Sequence, residues 1–367
     1  RLPANDNSST AGSRRRTQTK RETYSMKGTF KLAFASAAAI LVATTGQAFA
    51  QKTLEAIKAR GELVCGVSTG LGGFSVPDSE GKWTGLDVDV CKAVSAAIFG
   101  DPNKVKFQAL SAQQRFTALQ SGEVDVLSRN TTWTLTRDTS LGLNFTGVTY
   151  YDGQGFMVPK KLGVKSAKEL DGATVCVQPG TTTELNLADY FRANNMKFTP
   201  VVIEALQEVN AAFFSGRCDV LTTDASGLAS VRKNDAPKGK SDDYVILPEI
   251  ISKEPLGPVV RHGDDQFFDI VKWTVFALIE AEEYGITAAN VDQMAAESGN
   301  PGIKRLLGST PGMGKALGLD EAWAKNAIKA VGNYGEIWER NIPALGLPRG
   351  INNLWTNGGV MYAPPVR

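Results

Sequence analysis

The sequence predicts an α/β protein of two lobes, each built on an open and mostly parallel sheet, with a two-strand hinge between them. Strand and helix patterns alternate along the chain, and the alternation occurs twice in similar wording. The length agrees with two lobes. Of the 367 residues, 317 follow residue 50, whereas a single core stops growing at roughly 250–300 residues.

Residues 26–50 are typical of a signal peptide. Met26 is followed by two lysines, an apolar run from Leu32 to Ala43, and Ala48-Phe49-Ala50, the small-x-small pattern of a cleavage site. The apolar run is shorter than the roughly 20 residues that cross a bilayer, which disfavours the alternative of a membrane anchor. We expect cleavage before Gln51 and a periplasmic location.

Residues 1–25 hold clustered basic residues in a background of Ser, Thr and Asn, a composition that cannot bury a core. We interpret them as a disordered or mis-annotated upstream extension; a nucleic-acid-binding arm is the alternative. Without residues 1–50, 32 Lys and Arg stand against 36 Asp and Glu, so the net charge is −4 instead of +2. No basic excess then remains to attract nucleic acid or anionic lipid.

The clearest internal repeat is a helix, a glycine stop and a buried strand. Ser121-Gly-Glu-Val-Asp-Val-Leu127 recurs as Ser215-Gly-Arg-Cys-Asp-Val-Leu221, after predicted helices from Ala112 to Gln120 and from Ala205 to Phe214. Each half therefore contains the same strand-and-helix unit.

A second repeated motif begins each half of the chain. Gly61-Glu-Leu-Val-Cys65-Gly-Val and Gly172-Ala-Thr-Val-Cys176-Val-Gln each predict a short strand and a polar loop. Helices are predicted behind these loops, at Asp87–Phe99 and Glu184–Asn194. Such alternation favours parallel strands with right-handed crossovers.

The hinge is predicted in the extended stretches Tyr150–Pro159 and Tyr244–Arg261, which are poor in helix formers. An amphipathic helix from Asp264 to Glu282 and a Gly, Pro and Asn-rich coil after Asn341 follow. The predicted divisions are residues 51–150 for the first lobe, residues 151–250 for the second, and residues 251–367 for a return to the first lobe with a helical C-terminal extension.

Polar residues follow the two repeated strands at the same offset. Ser128, Arg129 and Asn130 come after the first, and Thr222, Thr223 and Asp224 come after the second. Ligands of open α/β sheets bind beyond the carboxyl ends of the strands. We therefore expect Asn130 and Asp224 to face one another across a cleft.

All four cysteines lie after residue 50, and an even count in an exported chain indicates disulfides. Four cysteines allow three connectivities. We predict one bridge in each lobe, Cys65 with Cys91 and Cys176 with Cys218; four buried free thiols are the alternative.

The order of these motifs resembles the polar-amino-acid substrate-binding proteins of ABC importers, which have the type II periplasmic-binding-protein fold. The motifs that carry the resemblance span most of residues 52–290: Trp83-Thr-Gly-Leu-Asp-Val-Asp-Val90, Asp125-Val-Leu, Arg137-Asp, Gln178-Pro-Gly-Thr-Thr-Thr183 and Asp219-Val-Leu-Thr-Thr-Asp224. The long C-terminal section and Ser128-Arg-Asn-Thr-Thr-Trp133 look most like the general L-amino-acid-binding subgroup.

The resemblance implies a free L-amino acid as ligand, with no cofactor and no metal. Arg137 matches the family's carboxylate-binding arginine, and a guanidinium offers a planar pair of donors for that group. Thr132 and Thr182 match positions that donate further bonds to the carboxylate, and Thr181 is a neighbouring candidate. Asp224 matches the acid that takes the ammonium. Lobe closure around the ligand would then be read by an ABC permease with its ATPase subunit.

Ordinary structural roles compete with these assignments. Arg137 and Asp138 could form a surface ion pair, and Asp224 could cap a helix at Ser226–Lys233. The segment Gln178–Thr183 could be a strand-to-helix turn with a threonine cap, although its amides also suit an anion.

The sequence departs from the family at the predicted ligand side-chain end. Ser68 stands where binders of basic amino acids carry an acid, and Leu71 and Ala112 stand where many members have aromatic residues. Arg129, if it faces the cleft, would favour acidic or amide side chains. Phe74, Trp83 and Trp133 could replace the missing aromatics, although such residues more often belong to the core.

The chain is expected to be a monomer. Two other function classes remain open. An enzyme on the same scaffold, similar to cyclohexadienyl dehydratase or to a lytic transglycosylase, could use Glu184 and Asp224 as an acid/base pair. The chain has one histidine, His262, which excludes most histidine-based triads and multi-histidine zinc sites. A ligand sensor coupled to a chemoreceptor is the third class.

Overall fold

The protein is described here by a computed structural model of residues 53–367, in which two five-stranded sheets form the cores of two lobes. The predicted upstream extension and signal peptide, residues 1–50, lie outside the described residues. The strands are β1 Leu63–Val67, β2 Val76–Pro77, β3 Trp83–Thr84, β4 Val105–Ala109, β5 Val126–Leu127, β6 Leu143–Phe145, β7 Tyr150–Asp152, β8 Gln154–Pro159, β9 Thr174–Val177, β10 Thr199–Val202, β11 Val220–Asp224, β12 Tyr244–Ile246, β13 Glu254–Leu256 and β14 Val259–Arg261. The helices are α1 Thr53–Arg60, α2 Leu86–Phe99, α3 Arg115–Ser121, α4 Leu135–Thr139, α5 Thr182–Ala193, α6 Leu206–Phe214, α7 Ala225–Asn234, α8 Asp265–Glu283, α9 Val291–Glu297, α10 Pro301–Leu306, α11 Met313–Leu317, α12 Trp323–Val331 and α13 Tyr334–Asn341.

The two sheets share one plan. The strand order is β4-β1-β5-β14-β6 in the first lobe and β10-β9-β11-β8-β12 in the second. In each sheet four of the five strands run in one direction, because the fourth strand in the order is antiparallel to both of its neighbours. The reversed strand, β14 or β8, is the one on which the chain arrives from the other lobe. The prediction of mostly parallel sheets is confirmed.

The repeated motif folds alike in both lobes. The helices α3 and α6 lead into the buried strands β5 and β11, and Gly122 adopts the left-handed conformation that ends α3. Helix α3 begins at Arg115, later than the predicted Ala112, because residues 112–114 form a turn whose Gln114 N–H donates to Ser111 Oγ. This shift places Ala112 on the wall of the cleft.

The lobes are joined by two short antiparallel strands. Strand β7 pairs with β13, with Glu254 opposite Asp152 and Leu256 opposite Tyr150. The predicted hinge stretches are extended as expected, although their outer parts, β8, β12 and β14, belong to the sheets. Glu254 is therefore a residue of the hinge itself.

The four cysteines pair as predicted, with Cα–Cα distances of 6.3 Å for Cys65 and Cys91 and 5.7 Å for Cys176 and Cys218. The first bridge joins β1 to α2. The second joins Cys176 of β9 to Cys218, which lies two residues before the start of β11. Strands β9 and β11 are neighbours in the sheet. Within residues 53–367 no cysteine is left free.

The C-terminal section covers the first lobe. Helix α12 packs against α2 and α8, and the side chains of Trp323 and Trp338 are fully buried in the shared core. The segment after α13 also reaches the hinge, where Asn352 exchanges two hydrogen bonds of 2.7 and 3.0 Å with the backbone of Tyr151. None of the helices in residues 53–367 combines the length and apolar character needed to cross a membrane.

Candidate functional site

A cavity lies between the lobes, where the carboxyl ends of β1 and β5 face the ends of β9 and β11. Counted with its open mouth, the space measures about 690 Å³. The lining residues are Ser68, Leu71, Ala112, Arg115, Arg129, Asn130, Thr132, Val177, Gln178, Thr181, Thr182, Thr183, Leu206, Val209, Asn210, Leu221, Thr222, Thr223, Asp224, Gly227 and Val231.

Contacts between the lobes narrow the mouth of this cavity. Ser111 Oγ donates to Glu204 Oε1 at 2.6 Å, and Gln207 Nε2 donates to the carbonyl oxygen of Thr69 at 2.8 Å. Each contact joins a first-lobe loop to the segment that leads into or forms α6 of the second lobe. The molecule is therefore in a closed arrangement.

Seven of the eight predicted ligand-binding residues line this cavity: Ser68, Arg129, Asn130, Thr132, Thr181, Thr182 and Asp224. The exception is Arg137. Its side chain is buried directly beside the wall, and Nη1 donates to the carbonyl oxygen of Thr132 at 2.9 Å. Within the described residues Arg137 forms no ion pair with Asp138, so the surface-pair alternative is not what the structure has.

Arg115 is a cavity residue that the sequence analysis did not identify. It is the first residue of α3 and is 3% exposed; its Nη2 lies 3.4 Å from the carbonyl oxygen of Gly180 in the second lobe. Burial, together with the positive charges of Arg137 and Arg129, lowers the pKa of its guanidinium. A signal was present, because Arg115 follows the small residue Ala112 by three positions and so shares its side of the turn.

The ring of Phe116 supports two of these cations. The guanidinium carbons of Arg115 and Arg137 each lie 4.9 Å from the ring centroid. A cation over an aromatic face is stabilised by the quadrupole of the ring. This contact offsets part of the cost of placing two buried guanidinium groups close together.

Arg129 is also buried at the cavity wall. Its Nε donates to the carbonyl oxygen of Leu110 at 2.9 Å, which fixes the side chain across the base of the first lobe. Burial lowers the pKa of Arg129 to about 10, and the nearby carboxylate of Asp87 opposes that shift. The group therefore keeps its positive charge at neutral pH.

Asp87 holds the loop that presents these residues. Its Oδ1 accepts from Ser128 Oγ at 3.2 Å, and its Oδ2 accepts from the Asn130 N–H at 2.8 Å. The second bond keeps Asn130 at a positive φ of 35°, a conformation that Asn tolerates better than most residues. Burial raises the pKa of Asp87 to about 6.

Asp224 lies across the cavity from these groups, at the end of β11. Burial raises its pKa well above the usual value, and the negative charges of Asp152 and Glu254 raise it further. Although Asp224 is at the N-cap position of α7, its side chain makes no capping hydrogen bond. The capping alternative therefore does not account for this buried carboxylate, which forms no ion pair within residues 53–367.

Two polar atoms of this cavity are buried without a hydrogen-bond partner in residues 53–367. They are Nε of Arg115, a donor, and Oδ1 of Asn130, an acceptor. An unpaired buried polar atom costs roughly 1–3 kcal/mol, and native proteins contain few of them. A ligand with both an acceptor and a donor would satisfy the two atoms.

The turn at Gln178–Thr183 combines the two roles considered for it. Thr181 Oγ1 accepts from the Glu184 N–H at 3.1 Å and caps α5, while Thr181, Thr182 and Thr183 line the cavity. The Gly180 N–H donates to Glu184 Oε2 at 3.0 Å, so the carboxylate of Glu184 is engaged by its own turn.

The aromatic residues considered as a ligand wall lie elsewhere. Phe74 is buried in the core against Tyr150, Trp83 packs on Phe107, and Trp133 stacks on Phe145. Leu71 and Ala112 do line the cavity. The part of the cavity that would take the ligand side chain is therefore lined by aliphatic and positively charged groups. Residues 53–367 contain no cluster of His, Cys, Asp and Glu side chains suited to a metal ion.

Comparison with known proteins agrees with this geometry. The model of the bacterial extracellular solute-binding proteins, family 3, matches residues 63–288. The general L-amino acid-binding periplasmic protein AapJ of Rhizobium johnstonii is 61% identical over 345 residues, which cover 92% of this chain and 99% of that protein. The glutamate/glutamine/aspartate/asparagine-binding protein BztA of Rhodobacter capsulatus is 60% identical over 340 residues, with the same coverage. A solved periplasmic binding protein of an ABC transporter from Brucella ovis, with glutathione bound, is 59% identical, with a TM-score of 0.83 over 86% of this chain and 99% of that one.

Proposed function

The chain belongs to family 3 of the bacterial extracellular solute-binding proteins, and from that premise we propose that it captures L-amino acids between its lobes for an ABC importer. The observation that carries the proposal is the pair of unsatisfied atoms in the cavity, the donor Nε of Arg115 and the acceptor Oδ1 of Asn130. A zwitterion supplies an acceptor in its carboxylate and a donor in its ammonium. The names of AapJ and BztA, both relatives over nearly the whole chain, support the same ligand class.

The charges of the site indicate how a zwitterion is oriented. The first lobe contributes the guanidinium groups of Arg115, Arg129 and Arg137, and the second lobe contributes the carboxylate of Asp224. The carboxylate of the ligand then binds at the first lobe and the ammonium at Asp224. Because the two halves of the site lie on different lobes, binding favours the closed state.

The guanidinium groups of Arg115 and Arg129 line the cavity and that of Arg137 lies beside its wall, so the site has more positive charge than one carboxylate requires. Each hydrogen bond to a charged group contributes about 1.5–3 kcal/mol, so a second acceptor on the ligand would add affinity. We propose that the ligand side chain is an acid or an amide, as in glutamate, glutamine, aspartate and asparagine. The name of BztA specifies this set.

Glutathione is a second candidate ligand. The relative from Brucella ovis contains it, and glutathione carries one ammonium and two carboxylates that suit the same charges. The structural reason to consider it is again the excess of guanidinium groups.

Calorimetry on the unliganded mature chain, beginning at Gln51, tests these proposals. The panel is the twenty L-amino acids with glutathione, and the acidic and amide amino acids are expected to bind with micromolar or tighter dissociation constants. Binding of basic amino acids in preference to these would contradict the proposal that the guanidinium groups select acidic or amide side chains. No binding by any member of the panel would contradict the proposed function.

We further propose that the protein does not catalyse a reaction. An acid/base pair of Glu184 and Asp224 is disfavoured because Glu184 accepts from the Gly180 N–H and does not line the cavity. The relatives AapJ and BztA are named as binding proteins. Turnover of prephenate-like substrates or of peptidoglycan by the purified chain would refute this proposal.

The proposed role in an ABC importer also implies the partners and the location of the protein. We propose a monomer in the periplasm, cleaved before Gln51, which delivers its ligand to an ABC permease driven by an ATPase subunit. N-terminal sequencing of the exported protein tests the cleavage site. Reconstitution with the permease distinguishes delivery to a transporter from delivery to a chemoreceptor, because only the former gives ligand uptake into vesicles.

A further inference from the structure

The hinge contains a buried carboxylate with four hydrogen-bond donors around it. Glu254, the first residue of β13, is 1% exposed. Its Oε2 accepts from Thr132 Oγ1 at 2.6 Å and from Thr182 Oγ1 at 2.8 Å. Its Oε1 accepts from Asn186 Nδ2 at 2.8 Å and from Ser252 Oγ at 2.6 Å. Four donors satisfy most of the acceptor sites that a carboxylate has.

The two threonines on Oε2 come from different lobes. Thr132 lies in the loop after β5 of the first lobe, and Thr182 is the first residue of α5 in the second. Their hydroxyl oxygens are 3.4 Å apart, and both residues line the cavity, whereas Glu254 does not. Glu254 can therefore influence a ligand through these two side chains without being part of the cavity wall.

The chemistry of the three groups fixes the direction of the hydroxyl protons. A threonine hydroxyl has one proton and two lone pairs, and an ionised carboxylate only accepts. Since both hydroxyls give their proton to Oε2, each presents lone pairs to its other neighbours. A pair of hydroxyl oxygens arranged in this way accepts from a ligand N–H and has no proton left for a ligand carboxylate.

We propose that Glu254 is a positioning residue that fixes the hydroxyls of Thr132 and Thr182 as acceptors, so that the junction of the two lobes binds the ammonium of the ligand. The inference rests on the proposed function, because it presumes an amino-acid ligand. It assigns to the two threonine hydroxyls the opposite of the carboxylate-donating role that the sequence comparison implied. Asp224, with its buried carboxylate, would complete the ammonium site from the second lobe.

The test compares two ligands that differ by the ammonium alone, L-glutamate and glutarate. The ratio of their dissociation constants measures how strongly the protein reads the ammonium. In Glu254→Ala the ratio is expected to fall at least tenfold relative to the natural protein, while the dissociation constant of glutarate changes less than threefold. A residue with a merely structural role would weaken both ligands alike and leave the ratio unchanged, which would overturn the inference.

A double-mutant cycle shows whether Glu254 acts through the threonines. Thr132→Val removes the hydroxyl and is expected to lower the ratio by itself. In the Glu254→Ala background it is expected to lower the ratio no further, because the hydroxyl is then no longer oriented. Equal effects of Thr132→Val in both backgrounds would mean that Glu254 acts directly by its charge, and would overturn the inference.

Folding and the prior proposal are controlled separately. If Glu254→Ala does not melt cooperatively, Glu254→Leu, which keeps most of the side-chain volume but cannot accept a hydrogen bond, replaces it in the same cycle with the same criterion. If the natural protein binds L-glutamate no more tightly than glutarate, the inference fails although the proposed function survives. If the natural protein binds neither these ligands nor any other amino acid, the proposed function itself fails.

Discussion

At the scale of single residues, the cavity is a set of charges that the protein holds at a cost. Less than one-tenth of the surface is exposed in each of Arg115, Arg129 and Asp224. Burial shifts the pKa of each side chain in the direction that favours its neutral form. Burial of an ionised group is unfavourable unless the group is paired. A ligand of complementary charge removes part of that cost, which is why the same residues are expected to control both affinity and stability.

The first residue-scale prediction concerns Arg115. Arg115→Met keeps most of the side-chain length but removes the charge and the donors, and it is expected to weaken L-glutamate binding by about 10- to 100-fold, the equivalent of one charge-assisted bond of about 1.5–3 kcal/mol. L-Alanine, which presents the same α-carboxylate, should be weakened by a similar factor. Calorimetry with both ligands measures the two losses.

A matched control for this experiment is Arg192→Met, because Arg192 is an exposed arginine of α5 that pairs only with Asp189 among the described residues. Its affinity for both ligands should equal that of the natural protein. A loss for L-glutamate alone in Arg115→Met would instead indicate that Arg115 binds the ligand side chain and not the carboxylate common to both.

The second residue-scale prediction concerns pH. Burial raises the pKa of Asp87 to about 6, and the pKa of Asp224 well above the usual value. A carboxyl group whose pKa is higher in the folded than in the unfolded chain binds more protons when folded, so its stabilising effect is present below about pH 4 and is lost as the pH rises through the folded value. We therefore expect these groups to lower the melting temperature of the unliganded protein between pH 4 and pH 7.

Ligand affinity should change in the opposite direction. Asp224 must be ionised to bind an ammonium, so the affinity for L-glutamine is expected to rise with pH as this carboxyl group, whose pKa is raised by burial, loses its proton. Scanning calorimetry and titration calorimetry measure the two trends. Asp224→Asn should flatten the trend in affinity and reduce the trend in stability, to which Asp87 still contributes. A variant that keeps the full pH dependence of affinity would show that Asp224 does not hold the ammonium.

At the scale of elements, the two lobes repeat one arrangement of strand, loop and helix. The starts of the predicted helices and of the structural ones agree to within three residues. The shift of α3 from Ala112 to Arg115 has a local cause, the turn that begins at Ser111. The periodicity of apolar residues and the glycine stops carry this information, because both depend on residues close together in the chain.

The element-scale prediction concerns the bridge in the second lobe. Cys176 and Cys218 are 42 residues apart, and removing a cross-link over such a loop costs about 4 kcal/mol on the chain-entropy model. Replacing both cysteines by alanine is therefore expected to lower the free energy of unfolding by an amount of that order, measured by guanidinium denaturation of the unliganded protein. The affinity for L-glutamate should change less than threefold, since neither cysteine lines the cavity.

Treating the natural protein with a reductant breaks both bridges, so it should lower the free energy of unfolding by at least as much as the double alanine variant does. A loss of less than 1 kcal/mol in both experiments would mean that the packing around β9 and β11 alone holds the second lobe together.

At the scale of the whole molecule, closure depends on a few contacts between lobes outside the cavity. Ser111 Oγ and Glu204 Oε1 meet at 2.6 Å at its mouth. Glu204→Ala removes this hydrogen bond and is expected to increase the dissociation rate of L-glutamate by about 2- to 10-fold, as for a net loss of about 0.5–1.5 kcal/mol. Stopped-flow fluorescence measures the rate.

Glu208→Ala is the control for this prediction, because Glu208 is an exposed acid of α6, the helix that follows Glu204, and none of the described residues forms a hydrogen bond with its side chain. It should leave the dissociation rate unchanged. Small-angle scattering should show a smaller radius of gyration with L-glutamate than without it, and an unchanged radius would contradict closure on binding.

The sequence by itself determined the two-lobed α/β architecture, the cysteine pairs, and the cavity residues Arg129, Asn130 and Asp224, because repeats, periodicity and the offset of polar residues from strand ends can be seen along the chain. The resemblance to a known family added Ser68, Thr132, Thr181 and Thr182. The tertiary structure decided the place of Arg115 in the cavity, the position of Arg137 behind Thr132, and the contacts of Glu254. Glu254 is 122 residues from Thr132 and 72 from Thr182, and no pattern along the chain indicates such a meeting. Only the packing of two lobes against a shared hinge brings these groups within hydrogen-bond distance.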